Sequence, residues 1–209
     1  MSGLDFSQVL ILFVILIASL TFHEAAHAWT ANQLGDPTAR LLGRLSLNPV
    51  VHVDMIGTIV FPLVAIMTGI PLLGWAKPVP VDMRQLRQPR RDFAIIAAAG
   101  PISNLLLAAA GVMVFRAVAP EPTSPAGELV TSAIIRFILL NVLLAVFNMI
   151  PVPPLDGGNV LMGVLPESLA AGVDRLRPWG FVLLYALMLS GMLSTIMHPI
   201  QRAVLEWLL

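Results

Sequence analysis

Long apolar segments are the feature that most constrains this chain. The first, near residues 8–31, contains the uncharged run VLILFVILIASLTF, and three others lie near 92–118, 129–150 and 178–197. A helix needs roughly 20 mostly apolar residues to cross a bilayer. With 57% hydrophobic and only 11% charged residues, the chain has too few polar groups to cover a soluble globule. The sequence therefore predicts an all-α polytopic membrane protein.

A fifth apolar stretch, at 55–73, has a different character. Two glycines and two prolines interrupt it, which is typical of a broken or re-entrant element. Strand-like patches precede it at 36–50. We therefore expect four to six transmembrane helices, with one broken or re-entrant segment, in a single intramembrane domain spanning residues 1–209.

Charge and cysteine content narrow the chemistry. Twelve basic and twelve acidic residues cancel, so no excess charge indicates a nucleic-acid partner. The chain contains no cysteine, which excludes disulfides, thiolate metal sites and cysteine nucleophiles. Any metal must be held by histidine, aspartate or glutamate.

The stretch HEAAH ends the first apolar segment and matches the pattern H-E-x-x-H. At about 3.6 residues per turn, His23 and His27 lie on one helix face and can bind the same zinc ion. Glu24, about 100° round the helix, can reach a water on that metal and take its proton. The alternative is a chance pair of packing histidines, but ionisable residues inside a membrane are costly and are usually functional. The motif therefore predicts metal binding.

A third ligand is expected, because a catalytic zinc usually takes three protein ligands and leaves a position for water. Asp156 is the candidate. It lies in FNMIPVPPLDGGNV, where three prolines prevent a regular helix from continuing and Gly157 and Gly158 allow a tight turn. Asp-Gly is also a common turn dipeptide, so the local pattern leaves a plain turn open.

Loop charges favour the ligand interpretation. The basic loop at 77–91 is predicted to be cytoplasmic and the acidic loop at 119–128 external. The N-terminus is then outside the cell membrane, and the histidines lie toward the cytoplasmic side. Asp156 reaches that same side only if the 55–73 segment turns back without a single crossing. A single crossing would also place the basic loop outside.

Several stretches together resemble a known family. FHEAAH, AAAGPISN at 97–104 and NMIPVPPLDGG at 148–158 look like the site-2 protease family of intramembrane zinc metalloproteases, in the same order along the chain. SLNPVVHVDMIGTIVFP and GWAKPVPVD resemble its short prokaryotic branch, which lacks appended PDZ or CBS domains. The resemblance implies a six-segment core.

The resemblance also implies a set of site residues. One zinc ion per chain would be held by His23, His27 and Asp156, with Glu24 as the catalytic acid and base. The expected function is hydrolysis of peptide bonds in transmembrane proteins, known as regulated intramembrane proteolysis. The expected partners are a transmembrane protein or peptide substrate and the lipid bilayer, with no nucleic acid.

Other polar residues have weaker assignments. Asn104 and Asn148 could bind the substrate backbone or an oxyanion, or could form hydrogen bonds between helices. His52 and Asp54 could support or add to the metal site, although a structural role at the mouth of the 55–73 segment is favoured. His198 is expected to be a plain interfacial residue.

A different class of function stays open on the ligand residues alone. A membrane metal or proton transporter could use the His and Asp residues as a transient ion site. Hydrolysis requires a glutamate beside the first histidine, whereas transport does not, so Glu24 favours the protease. A catalytically dead scaffold is disfavoured because both HExxH and LDG are intact.

Overall fold

The computed structural model describes residues 6–68, 74–118 and 124–208. Within these ranges the chain is helical and contains no β-strand. The α-helices are α1 (Phe6–Gln33), α2 (Thr38–Leu41), α3 (Phe61–Thr68), α4 (Pro89–Val118), α5 (Pro125–Asn148), α6 (Asp156–Val164), α7 (Glu167–Asp174), α8 (Gly180–Leu189) and α9 (Met192–Leu208). Shorter helical turns lie at Pro49–Val51, Met55–Val60, Met83–Gln85 and Arg177–Trp179.

Three helices, α1, α4 and α5, are long and apolar enough to cross a membrane. Residues 167–189 and 192–207 together pass the same test, but the chain bends there by 81°. The predicted all-α polytopic fold is confirmed, and the protein is a multi-pass membrane protein. The predicted span at 178–197 is not one straight helix. Gly191, with φ of +75°, adopts a left-handed conformation that favours glycine and ends α8.

The helices α4 and α5 pack antiparallel to each other. Asn104 on α4 contacts Asn141 on α5, and Gly111, further along α4, lies against Ile138 on α5. A Cβ at Gly111 would lie 2.8 Å from the Ile138 side chain, so a small residue is required for this approach. The two helices, with α1 packed against α4, form the frame that carries the site.

The segment predicted to be re-entrant begins and ends at the same place. The Trp75 N–H donates to the Gly57 carbonyl at 3.2 Å, and the Lys77 N–H donates to the His52 carbonyl at 2.9 Å. The Thr58 hydroxyl adds a hydrogen bond to the Trp75 carbonyl at 2.8 Å. Residues 69–73 lie outside the described part. The two ends are joined by these bonds, as a re-entrant element requires.

The prediction of strand-like patches at 36–50 is wrong, because these residues form helical turns and no strand. The buried Asp36 carboxylate accepts hydrogen bonds from the Thr38 N–H and hydroxyl, which favours a helical turn, and α2 follows. Asn48 then caps the short turn at Pro49–Val51 by accepting from the Val50 N–H. Local side-chain to backbone bonds of this kind compete with extended pairing.

Candidate active site and metal centre

The two histidines of HEAAH lie one turn apart within α1. Their Nε2 atoms are 3.1 Å apart, and the residues are only 4% and 7% exposed. The other ring nitrogen of His27, Nδ1, lies 2.7 Å from the Ile96 carbonyl oxygen on α4. Because a carbonyl can only accept, His27 carries its proton on Nδ1 and leaves the Nε2 lone pair free.

Asp156 reaches the histidines from the start of α6. Its Oδ2 atom is 3.1 Å from His23 Nε2 and 3.4 Å from His27 Nε2. The turn before it is tight: a Cβ at Gly157 would lie 2.5 Å from the Ile150 carbonyl oxygen. The prolines end α5 and the glycines let the backbone fold back on itself, which aims the carboxylate at the histidines.

These atoms have the properties of a metal site. One ligand atom from each of the three side chains lies within 4.8 Å of the other two. Asp156 Oδ2 is buried and lacks a hydrogen-bond donor among the described residues, although two histidine nitrogens are close. Two imidazole nitrogens and a carboxylate oxygen are a common donor set for catalytic zinc. The residues therefore fit a zinc ion.

Gly100 on α4 leaves room beside the histidines. A Cβ at this position would lie 2.6 Å from His23 Nε2, and closer still to His27 Nε2. Contacts that short force a neighbour to move. A residue without a side chain is therefore required where the two ligand nitrogens converge.

Glu24 lies beside the histidines and is 8% exposed. Its Oε2 atom accepts a hydrogen bond from the Val79 N–H at 3.1 Å. Val79 belongs to the extended segment at 74–81, which follows the re-entrant element. The bond holds the Glu24 carboxylate at the boundary between α1 and this segment.

The three predicted ligands and Glu24 line one cavity of about 1170 Å³. Its lining is mostly apolar, with His23, Glu24, His27 and Asp156 as a polar cluster. One part of the lining comes from α1, α4, α5 and α6, together with α9, which packs against α5. Another part comes from the re-entrant segment and residues 74–81, where Trp75 contacts Phe181 of α8. The cavity is large enough for a peptide segment rather than for an ion alone.

Comparison with known proteins decides the family. The model of peptidase family M50 matches residues 117–189. "Putative zinc metalloprotease YwhC" of Bacillus subtilis (strain 168) is 34% identical over 195 residues, which cover 92% of this chain and 86% of that protein.

The chain belongs to peptidase family M50. "Putative zinc metalloprotease Rip2" of Mycolicibacterium smegmatis is 30% identical over 187 residues, or 87% of this chain and 69% of that protein. No solved structure matches the chain. This M50 peptidase is therefore a zinc metalloprotease of the site-2 type, with Zn²⁺ as its cofactor.

The other polar residues predicted for the site lie in different places. Asn148 lines the cavity, and its side-chain amide donates to the Leu144 carbonyl at 3.0 Å, which leaves its oxygen available. Asn104 is fully buried and is not part of the cavity surface. Its Oδ1 atom lies 2.6 Å from His23 Nδ1. Asn104 thus contacts a predicted ligand rather than a space for substrate.

His52 and Asp54 lie at the mouth of the re-entrant segment. His52 Nε2 donates to the Ser46 carbonyl at 2.8 Å. The Asp54 carboxylate caps the helical turn that follows by accepting from the Ile56 and Gly57 N–H groups. Neither side chain lines the cavity, so the favoured structural role fits both.

Sequence reasoning missed three residues of this M50 site. Gly100 lies in the quoted stretch AAAGPISN, but only the fold shows that it faces the histidines. Asn141 and Ser19 are fully buried beside Asn104. The signal available for Asn141 was an amide in an apolar segment, two turns before Asn148. No signal in the sequence pointed to Ser19, since serine is common in apolar helices.

His198, predicted to be a plain interfacial residue, is exposed. It lines the cavity from α9, together with Ser194 and Gln201. These three residues follow a spacing of four and then three, which places them on one face of that helix. The polar face of α9 is therefore directed at the site.

Proposed function

We propose that this M50 peptidase hydrolyses peptide bonds within the transmembrane segments of protein substrates, as in regulated intramembrane proteolysis. The proposed zinc ligands are His23, His27 and Asp156, and Glu24 is the catalytic acid and base. The observation that carries the proposal is the convergence of three ligand atoms within 4.8 Å in a large apolar cavity between membrane-spanning helices. An apolar cavity at that position suits an apolar peptide.

When bound there, zinc would supply a Lewis acid that polarises the scissile carbonyl and lowers the pKa of water to about 7. Glu24 accepts one proton from the attacking water at a carboxylate oxygen. The water oxygen forms a bond to the carbonyl carbon, and the C–N bond breaks. Glu24 then returns the proton to the leaving amine nitrogen, which gives one carboxyl and one amino terminus.

A substrate helix must unwind before it is cut, because its carbonyls are otherwise bonded within the helix. Since residues 36–50 form no strand, the KPVPV segment at 77–81 is the candidate for pairing with the unwound peptide. Its two prolines lack an N–H, and the N–H groups of Lys77 and Val79 are already bonded. We therefore propose that it offers carbonyl oxygens to the substrate, or releases the Val79 N–H from Glu24.

The proposed orientation places the active site toward the cytoplasmic side of the cell membrane. The cysteine-free chain allows a direct test with the single variants Gln88→Cys and Glu128→Cys, both at exposed positions. In intact cells, a membrane-impermeant maleimide should label Glu128→Cys and spare Gln88→Cys. The reverse labelling pattern would contradict this orientation.

The function is tested with Glu24→Gln, which keeps the size of the side chain and removes its basicity. Bacterial cells would express the enzyme with a panel of reporters that each carry one transmembrane segment. Zinc-loaded wild type should cut at least one reporter within that segment, and the variant should cut about 10²- to 10⁴-fold more slowly with zinc still bound. Undiminished cleavage by the variant, or no cleavage within any segment by wild type, would overturn the proposal.

A further inference from the structure

A buried chain of amides connects three helices to His23. Asn104 Nδ2 donates to Asn141 Oδ1 at 2.9 Å. Asn141 Nδ2 donates to the Phe137 carbonyl at 2.9 Å and to the Ser19 hydroxyl oxygen at 3.0 Å. At the other end, Asn104 Oδ1 lies 2.6 Å from His23 Nδ1. Ser19, Asn104 and Asn141 are each 0% exposed, so water does not compete for these bonds.

The direction of every hydrogen bond follows from two backbone carbonyls, that of Phe137 and that of Ser19, which lies 3.5 Å from Asn104 Nδ2. The Phe137 carbonyl can only accept, so Asn141 must direct its NH₂ group toward it and its oxygen toward Asn104. Asn104 must then direct its NH₂ group toward Asn141 and its oxygen toward His23. The nitrogen of His23 that faces this oxygen must carry the proton. The sequence of donors and acceptors thus determines both amide orientations and the histidine tautomer.

We propose that Asn141 and Asn104 are positioning residues that hold His23 with its proton on Nδ1 and its Nε2 lone pair directed at the zinc. The inference rests on the zinc site proposed above. Asn141 touches neither the metal nor the cavity, and acts through Asn104. The role of Asn104 is then to orient a ligand, rather than to bind substrate or an oxyanion.

The two histidines differ in how they are held. The Nδ1 atom of His27 is bonded to the Ile96 backbone carbonyl, which no substitution removes directly. The Nδ1 atom of His23 depends on two side chains that can be replaced. Partners of this kind orient the imidazole, and their loss typically lowers metal affinity by 10- to 100-fold. His23 is therefore the ligand that distant mutations can disturb.

The first measurement is the tautomer of His23 in zinc-free protein. The chain has four histidines, so ¹⁵N-histidine labelling gives a simple NMR spectrum in which a His23→Gln variant assigns the signal. Wild type should show His23 protonated on Nδ1. Protonation of wild-type His23 on Nε2 would overturn the proposal without any need for a variant at the amides.

The second measurement is zinc affinity by competition with a chelator. Asn141→Leu keeps the number and branching of the side-chain heavy atoms and removes the acceptor that holds the Asn104 NH₂ group at 2.9 Å. Only the longer contact to the Ser19 carbonyl, at 3.5 Å, then keeps that group from turning toward His23. We expect zinc affinity to fall by roughly 10- to 100-fold, with loss of the single tautomer. Thr21→Val is the control, since Thr21 is buried on α1, the helix that carries His23, and among the described residues its hydroxyl bonds the Ile17 carbonyl and not the amide network. It should bind zinc as wild type does.

A rescue variant separates orientation from packing. In Asn104→Asp/Asn141→Leu, both carboxylate oxygens accept hydrogen bonds, so either orientation suits the His23 Nδ1 proton. This double variant should recover most of the zinc affinity lost in Asn141→Leu. If the amides only join helices, the double variant should be as weak as the single one or weaker, and that result would overturn the proposal.

Failure of this inference can be told apart from failure of the zinc site. If His27→Ala and Asp156→Ala lose zinc while Asn141→Leu binds it normally with the Nδ1 proton retained, only the positioning role is wrong. If His27→Ala and Asp156→Ala bind zinc as tightly as wild type, the zinc site itself is wrong. Thermal unfolding of each zinc-free variant shows whether a loss of affinity reflects a loss of folding.

Discussion

The two sides of the active-site cavity are built differently. On the side formed by α1, α4 and α5, buried side chains join the helices through an amide network, and the proposed ligands are at most 7% exposed on α1. On the other side, backbone hydrogen bonds hold residues 74–81 to the start of the re-entrant segment, and Trp75 contacts Phe181 of α8. We refer to these as the helical wall and the loop wall.

Each wall meets a different requirement of an intramembrane protease. Ligands must be held within a fraction of an ångström, which rigid, packed helices provide. A substrate helix must enter and unwind, which requires a boundary that can move. The loop wall is joined to the rest of the re-entrant segment by a few backbone and hydroxyl hydrogen bonds, which suits it to that task. We therefore expect mutations in the helical wall to affect zinc, and mutations in the loop wall to affect substrate.

Gly100→Ala should give the largest effect, because it inserts a methyl group into the helical wall 2.6 Å from His23 Nε2. The imidazoles must move apart, and misplacement of catalytic groups by about 1 Å can cost roughly 100-fold in rate. We expect zinc affinity and cleavage to fall together. Zinc content by mass spectrometry and reporter cleavage measure the two effects.

The control for this substitution is Gly172→Ala, since a Cβ at Gly172 meets no atom within 4 Å. It should leave zinc content and cleavage unchanged. Normal zinc affinity in Gly100→Ala would show that the histidine pair tolerates an added side chain and would contradict the rigidity of the helical wall.

Thr58→Val should give a smaller effect, confined to the loop wall. Thr58 is 2% exposed, and its hydroxyl donates to the Trp75 carbonyl and accepts from the Asp54 N–H. A hydrogen bond of this kind contributes about 1 kcal/mol, or roughly five-fold in an equilibrium. We expect KM for a reporter peptide to rise by about that factor while zinc affinity stays constant.

Thr195→Val is the control, because the exposed Thr195 hydroxyl donates to the Gly191 carbonyl just before α9, and no other bond of it lies within the described residues. It should leave KM unchanged. A fall in zinc affinity in Thr58→Val would mean that the two walls are coupled, and the comparison above would fail.

Arg84→Ala should give the smallest effect on function. The Arg84 side chain donates to the Asp82 carboxylate at 2.9 Å, at the exposed end of the loop wall, and this hydrogen bond lowers the pKa of Asp82 to about 2. Without it, the pKa of Asp82 should rise toward its ordinary value of about 3.9. A carboxyl NMR titration measures the change, and reporter cleavage should be unaffected. A large loss of cleavage would contradict the expectation that this exposed pair of side chains lies outside the active site.

The sequence predicted the parts of the site that follow from local geometry and charge. The i, i+4 spacing of His23 and His27 fixes their common face in any helix. Asp156 required more, since its depth depended on loop charges and on the return of the 55–73 segment. The structure is consistent with that return, since the N–H groups of Trp75 and Lys77 donate to the carbonyls of Gly57 and His52, at and just before the start of the segment.

The remaining features depend on contacts between residues far apart in the chain. Asn141 meets Ser19 across 122 positions, and no local pattern encodes that distance. Gly100 reads as one small residue among alanines until α1 packs against it. The strand-like patches predicted at 36–50 are instead short helical turns, where Asp36 accepts from the Thr38 N–H and Asn48 caps Pro49–Val51.

The central claim is that residues separated by about 130 positions form one zinc site, and Asp156→Ala tests it most directly. Zinc affinity of purified wild type and variant would be compared by chelator competition, with Asp174→Ala as an exposed control on α7. We predict that Asp156→Ala loses most of its bound zinc under conditions where wild type and Asp174→Ala retain one ion per chain. Unchanged zinc affinity in Asp156→Ala would remove this carboxylate from the site and contradict the account.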